Sequence, residues 1–94
     1  MVKSEYIYTP QTYLEKITGK TYFMGHEWPV DSILEILVEE GYDNLWDYPL
    51  TEIDHIVENN ADVVLVDCSW REEDEFIREY RWFEVPEDFK EEEE

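Results

Sequence analysis

The sequence predicts an α+β domain in which about three short helices pack on an antiparallel β-hairpin or a small three-stranded sheet. Two observations support this class. Apolar residues recur with helical spacing up to residue 59, and a continuous β-branched run at Val63–Val66 then opens a segment rich in strand-forming residues. The 94 residues are enough for one domain. We expect that domain to span residues 1–86 and to be followed by a disordered acidic tail over residues 87–94.

The first helix is predicted over residues 10–18. Thr9 followed by Pro10 is typical of an N-cap and the first helical position. The apolar side chains of Tyr13, Leu14 and Ile17 share one helical face. Gly19 can end the helix in a left-handed conformation.

Two further helices follow a loop over residues 20–29. The second begins at Asp31 or Ser32 as its N-cap and ends at Gly41, and its apolar face is formed by Ile33, Leu34, Leu37 and Val38. A loop or single turn is predicted over residues 42–50. The third helix is predicted over residues 51–59, with a turn at Asn59 and Asn60.

The last third of the domain is predicted to form a β-hairpin. Its strands cover residues 62–70 and 76–85, and a polar turn at Arg71–Asp74 joins them. The stretch Glu5–Tyr8 is expected to add a third strand at an edge. The register stays open, because a slip of one residue turns every side chain to the other face.

The charge of the chain is strongly regional. Residues 1–26 carry a net charge of +1, residues 27–70 carry −12 and residues 71–94 carry −8. From Glu27 to Trp70 there are twelve acidic residues and no Lys or Arg. Such a chain repels nucleic acids and anionic membranes, whereas a basic protein surface attracts it. We therefore expect a basic partner protein and no direct contact with nucleic acid or membrane.

The second predicted helix carries an acidic stripe. Asp31, Glu35 and Glu39 recur at every fourth position, about 6 Å apart along the helix axis, which is comparable with successive phosphates of a nucleic acid backbone. Trp46 and Tyr48 follow the stripe closely in the sequence and can act as apolar anchors. Plain solvation of an acidic surface remains the alternative. The predicted partner-binding residues are Asp31, Glu35, Glu39, Glu40, Asp43, Trp46, Asp47 and Tyr48.

Catalytic and metal-binding chemistry has weak support in the sequence, so we expect neither an enzyme nor a metal or cofactor. His26–Glu27 and Asp54–His55 lack a recognisable partner set, and Glu72–Glu75 lacks the alternation of a calcium loop. The acidic surroundings of Cys68 favour a structural strand residue over a nucleophile. A small hydrolase or metal protein is the least favoured reading.

In size, acidity and aromatic-rich α+β character, residues 27–94 resemble the small acidic DNA-mimic inhibitors of phages and mobile elements. These include anti-CRISPR, anti-restriction and uracil-glycosylase-inhibitor proteins. The resemblance implies a stoichiometric inhibitor that occupies the nucleic-acid channel of a Cas nuclease, a restriction enzyme or a similar defence or repair protein. It also implies the cytoplasm of a bacterial host. It assigns no role to individual residues, and both a monomer and a homodimer stay open.

A different class of function rests on the aromatic hairpin. An adaptor or regulatory module would bind a partner protein through the apolar side chains of Trp70, Phe76, Tyr80 and Trp82. Its binding would depend little on salt, whereas binding through an acidic surface weakens as salt rises. The N-terminus lacks an apolar run of signal-peptide length, and no stretch approaches the about 20 apolar residues of a membrane helix. These features predict a cytoplasmic location.

Overall fold

The computed structural model describes residues 2–22, 29–87 and 89, which form three helices, a mixed four-stranded sheet and a separate two-stranded sheet. The predicted α+β class is confirmed. The elements in chain order are β1 Val2–Tyr8, α1 Pro10–Thr18, α2 Val30–Glu39, β2 Asp47–Pro49, α3 Ile53–Asn59, β3 Val63–Asp67, β4 Trp70–Glu72, β5 Glu75–Ile77 and β6 Tyr80–Glu84.

Helix α1 begins and ends at the predicted residues. The Thr9 hydroxyl accepts a hydrogen bond from the Thr12 backbone N–H, and the Thr12 hydroxyl accepts one from the backbone N–H of Thr9, so the pair forms a reciprocal cap. Gly19 has φ 76°, a left-handed conformation that suits glycine, and its N–H donates to the Glu15 carbonyl. Local sequence signals fully account for this helix.

Helices α2 and α3 have different starting residues from those predicted. Helix α2 already includes Asp31 and Ser32 in its first turn, because Pro29 is the N-cap residue and its carbonyl accepts from the N–H of Ser32. Helix α3 begins at Ile53, two residues later than predicted, with Glu52 as its N-cap. It ends before Asn60, which adopts a left-handed φ of 56° at the predicted turn.

The predicted hairpin is present as the antiparallel pair β3 and β6, in which Val64 lies opposite Phe83 and Leu65 opposite Trp82. The predicted strands are not continuous, however. A second ribbon, β4 and β5, occupies the connection, and its turn places Glu73 at φ 54°. The predicted edge strand near Glu5–Tyr8 is also present as β1, which pairs with β3 in parallel orientation.

Strand β2 corrects the prediction of a loop or turn over residues 42–50. It pairs with β6 at the other edge of the sheet, so that the strand order is β1-β3-β6-β2. Three residues ending in Pro49 carry no strand signal of their own. These residues become a strand because their backbone pairs with β6, and proline is tolerated at a sheet edge.

Helices α1 and α2 pack on one face of the four-stranded sheet. The core on this face is formed by Tyr8, Tyr13, Leu14, Ile17, Ile33, Leu37, Leu45, Val64, Val66, Cys68, Phe83, Val85 and Phe89. Because side chains alternate along a strand, Val63 and Leu65 of β3 point to the opposite face. The chain that leads into α3 reaches that second face, where the Leu50 carbonyl accepts a hydrogen bond from Trp82 Nε1 at 3.2 Å.

The packed chain extends past the boundary predicted at Pro86. Phe89 is buried in the core, with its ring 6.2 Å from that of Tyr8 between centroids. Residues 88 and 90–94 lie outside the described residues. The disordered acidic tail therefore stays a prediction.

Candidate partner-binding surface

The acidic stripe lies on the outer face of α2. The helix buries Ile33 and Leu37 in the core, and Glu35 between them turns outward. Asp31, Glu35 and Glu39 are all exposed, and a shallow depression beside them is floored by Leu34 and Val38. The surface thus combines a row of carboxylates with an exposed apolar strip.

No cation neutralises this row among the residues that the structure describes. None of Asp31, Glu35 and Glu39 takes part in an ion pair there, and α2 has no basic residue in its last turn. Asp31 lies in the first turn, where the helix dipole favours an acid, but Glu39 lies in the last turn, where the dipole disfavours it. The row therefore presents a field that the side chains described around it do not cancel.

Two predicted contact residues, Glu40 and Asp47, are instead occupied by ion pairs within the chain. Lys20 Nζ lies 2.9 Å from Glu40 Oε2. The Arg81 guanidinium binds Asp47 through Nη2 and also through Nε, which lies 2.9 Å from Asp47 Oδ2. Arg81 also lies 3.2 Å from Glu79, so that it bridges two carboxylates. The pairing of Arg81 with Asp47 depends on the register of β2 and β6, which the sequence leaves open.

The predicted aromatic anchors lie in different places. Trp46 is 64% exposed and precedes β2, in the same loop as the exposed Asp43. Tyr48 lies opposite Trp82 on the sheet face away from α1 and α2, and its hydroxyl donates to Glu84 Oε2 at 2.6 Å. Tyr48 therefore does not share a surface with the α2 stripe.

The predicted residues accordingly divide into three groups. Asp31, Glu35 and Glu39 form the exposed face of α2, with Asp43 and Trp46 exposed in the loop that follows it. Glu40 and Asp47 are paired with cations. Tyr48 belongs to the opposite face of the sheet.

The predicted hairpin aromatics also divide. Tyr80 and Trp82 are two residues apart on β6 and share the sheet face opposite α1 and α2. Trp70 and Phe76 lie on the β4–β5 ribbon at neighbouring positions that are not paired with each other, so they point to opposite sides of it. The guanidinium of Arg78 lies 5.4 Å from the centre of the Phe76 ring.

The residues considered for catalysis form no reactive site in the described chain. Cys68 is buried, and burial raises the pKa of its thiol to about 12, with the Arg81 guanidinium opposing the shift. This thiol is therefore protonated at neutral pH and inert. His55 lies between Glu52 and Glu58, 3.8 and 3.9 Å away, on an exposed face of α3. His26 and Glu27 lie outside the described residues.

Metal binding has no clustered ligand set in the part of the chain that the structure describes. No group of three or more His, Cys, Asp or Glu side chains there has the arrangement needed to hold an ion. The acids of the β4–β5 turn, Glu72–Glu75, line a shallow polar depression. Glu72 and Glu75 lie directly opposite each other in the ribbon, a like-charge pair that destabilises it.

Comparison with protein-family models, with curated proteins and with solved structures finds no match for this chain. Within the described residues, each helix lacks the length and apolar character needed to cross a membrane.

Proposed function

We propose that this chain is an acidic DNA-mimic inhibitor that binds the basic nucleic-acid-binding surface of a bacterial defence or repair protein. The observation that supports it is the uncompensated row of Asp31, Glu35 and Glu39 on the outer face of α2. A Cas nuclease or a restriction enzyme is the target class that fits best, because both hold nucleic acid in a channel rich in Lys and Arg.

The α2 surface suits such a channel in two ways. Its carboxylates stand about 6 Å apart on a rigid helix, so that several Lys or Arg side chains can be engaged without reorganisation of the inhibitor. Asp43 and Trp46 extend the surface past the end of the helix, where the exposed indole adds an apolar contact. The field of a chain with a net charge of −19 accelerates the encounter with a basic protein.

The proposal predicts that charge reversal on α2 abolishes inhibition without unfolding the chain. The variant is Glu35→Lys with Glu39→Lys. The matched control is Glu72→Lys with Glu75→Lys, which changes the net charge equally but alters the β4–β5 turn. The assay measures nucleic-acid binding by a panel of purified Cas nucleases, restriction enzymes and glycosylases, with and without the chain.

We expect the wild-type chain to block at least one of these proteins stoichiometrically, and excess duplex DNA to compete with it. The α2 variant should lose more than about tenfold in affinity, whereas the turn variant should lose little. Association of the wild type should slow as salt rises from about 50 mM to about 300 mM. Equal losses in the two variants would assign binding to net charge alone and reject the α2 surface.

A further inference from the structure

One row of apolar and aromatic side chains crosses all four strands of the main sheet on the face opposite α1 and α2. The backbone register places Ile7 of β1 opposite Leu65 of β3, Leu65 opposite Trp82 of β6, and Trp82 opposite Tyr48 of β2. Residues paired in this way point to the same face of a sheet. Since neighbouring strands lie about 4.8 Å apart, the row is about 14 Å long.

The chain that leads into α3 reaches this face at Leu50, whose carbonyl accepts a hydrogen bond from Trp82 of β6. Ile56 of α3 and Val63 of β3 are fully buried, outside the main core cluster. At the other end of the row, Ile7 is 53% exposed. Leu50 is also exposed. The apolar surface open to solvent on this side is therefore at Ile7 and Leu50, while Tyr48, Leu65 and Trp82 are half-buried.

Helix α3 itself keeps part of its apolar stripe exposed. Ile53 and Val57 lie one turn apart, next to the buried Ile56, and Val57 is 64% exposed. Together with Leu50, these side chains place further apolar surface beside the sheet. Exposed apolar groups gathered in one region mark a binding site more often than isolated ones do.

Among the described residues, acids outnumber cations around this face. Asp67 and Glu84 lie on the same face of the strands, and Asp54 and Glu58 lie on the solvent side of α3, away from its buried Ile56. Lys and Arg are absent from the sequence between residues 29 and 70. The cation that the structure places nearby is Arg78, whose Nη1 lies 3.2 Å from the Tyr80 hydroxyl at the hairpin end.

The acidic charge around this sheet face restricts which kind of molecule can bind there. Two copies of a chain with a net charge of −19 repel each other, and nucleic acids and anionic membranes are repelled as well. An occupant that covers the row therefore needs apolar side chains for Ile7, Leu65 and Trp82 and cationic side chains for the acids of the same sheet face. An amphipathic basic helix of a partner protein has both.

We infer that this sheet face binds a basic amphipathic helix of a partner protein. The apolar side of the partner helix lies on the row from Ile7 to Tyr48, and its Lys and Arg side chains reach the carboxylates of Asp67 and Glu84 on the same sheet face. This site is separate from the α2 stripe, which lies on the other side of the sheet. The inference does not rest on the proposed inhibition, and the two surfaces can be occupied at the same time.

The test uses two synthetic Lys/Leu peptides of about 18 residues, equal in composition and charge. In one peptide the leucines follow helical spacing and form a single face, and in the other the order is scrambled. Amide chemical-shift changes of the full chain on titration locate the binding site. We expect the amphipathic peptide to bind at least about tenfold more tightly and to shift the amides of Ile7, Leu65 and Trp82.

The variant for this face is Ile7→Thr with Leu65→Thr, which keeps β-branched residues in the strands. Its control is Val38→Gln, which removes exposed apolar surface from α2 instead. The sheet variant should lose at least about tenfold in affinity for the amphipathic peptide, whereas the α2 variant should bind as the wild type does. Should the double variant unfold, the exposed Ile7→Thr change alone should still weaken binding.

Three outcomes would overturn the inference. The scrambled peptide measures binding through charge alone, so equal affinity for both peptides would reject an apolar site. Shift changes confined to α2 would place the peptide on the other side of the sheet. Sedimentation that shows a dimer disrupted by Ile7→Thr would assign the face to a second copy of the chain.

Discussion

Asp47 and Glu35 are both carboxylates of the predicted contact surface, yet the structure places them in opposite environments. The Asp47 side chain is 12% exposed and is held by Arg81, itself 22% exposed. Glu35 lies in solvent on α2, with no cationic partner among the described residues. The comparison shows that acidity alone does not identify a binding surface. A paired carboxylate contributes to the fold, and only an unpaired one is available to a partner.

The difference arises from the neighbours of each element. Strand β2 pairs with β6, which brings Asp47 beside Arg81 across 34 positions of sequence. Helix α2 neighbours α1, and in this region Lys20 pairs with Glu40 at the end of α2 and leaves the stripe untouched. The net charge is thus partly compensated at the sheet edge and uncompensated along the helix.

The largest expected effect is a loss of stability on removal of the Arg81 cation. Arg81→Met leaves the carboxylate of Asp47 little exposed and unpaired, and breaking such a pair typically costs about 3 kcal/mol. Urea unfolding should show this loss in the free energy of unfolding. The matched control is Arg78→Met, whose guanidinium is exposed and should change stability by less than about 0.5 kcal/mol. Equal losses would mean that Arg81 is no more important to the fold than a surface cation.

The elements with strong local signals were predictable from sequence. Helix α1 has a capping threonine, a proline and a terminal glycine within eleven residues, and its limits are confirmed. Strand β2 has no such signal, since its three residues become a strand only by pairing with β6. The parallel pairing of β1 with β3 was equally hidden, because it joins residues almost sixty positions apart.

The candidate surface was predictable only where it depends on helical periodicity and not on strand register. Periodicity alone placed Asp31, Glu35 and Glu39 on one outward face, because a helix fixes the relation between every fourth residue. The partner of Asp47 and the position of Tyr48 depend on strand register, which the sequence left open. The row from Ile7 to Tyr48 was missed for the same reason, since its four members come from four separate strands.

A smaller effect is expected at alkaline pH. It comes from ionisable groups buried in the core, and not from the exposed carboxylates of α2. Burial raises the pKa of Cys68 to about 12 and raises that of Tyr13, with the carboxylates of Glu84 and Asp47 adding to the Tyr13 shift. Both groups stay protonated in the folded chain but ionise in the unfolded chain from their ordinary pKa values of 9.0 and 10.0. Stability is therefore complete below about pH 9 and falls as pH rises, by about 1.4 kcal/mol per pH unit for each group.

Urea unfolding at a series of pH values measures this slope. Cys68→Val removes the first of the two groups, so the variant should lose little stability between about pH 9 and pH 10, where the wild type already weakens. An unchanged slope in the variant would assign the alkaline loss to other groups.

The smallest expected effect is the most direct test of the comparison, because one chemical change should act with opposite signs in the two regions. Glu35→Gln with Glu39→Gln removes two like-charge contacts at helical spacing and one acid from the last turn of α2. The free energy of unfolding should rise by about 0.5 kcal/mol. Asp47→Asn makes the same carboxylate-to-amide change but removes the partner of Arg81, so the free energy of unfolding should fall. Both differences are measurable by urea unfolding at low salt, and added salt should shrink the gain on α2 more than the loss at Asp47, since the pair is less exposed to the screening ions. If both changes destabilise the chain, other charges of the chain already compensate the α2 stripe. The stripe would then not be free to bind a basic partner.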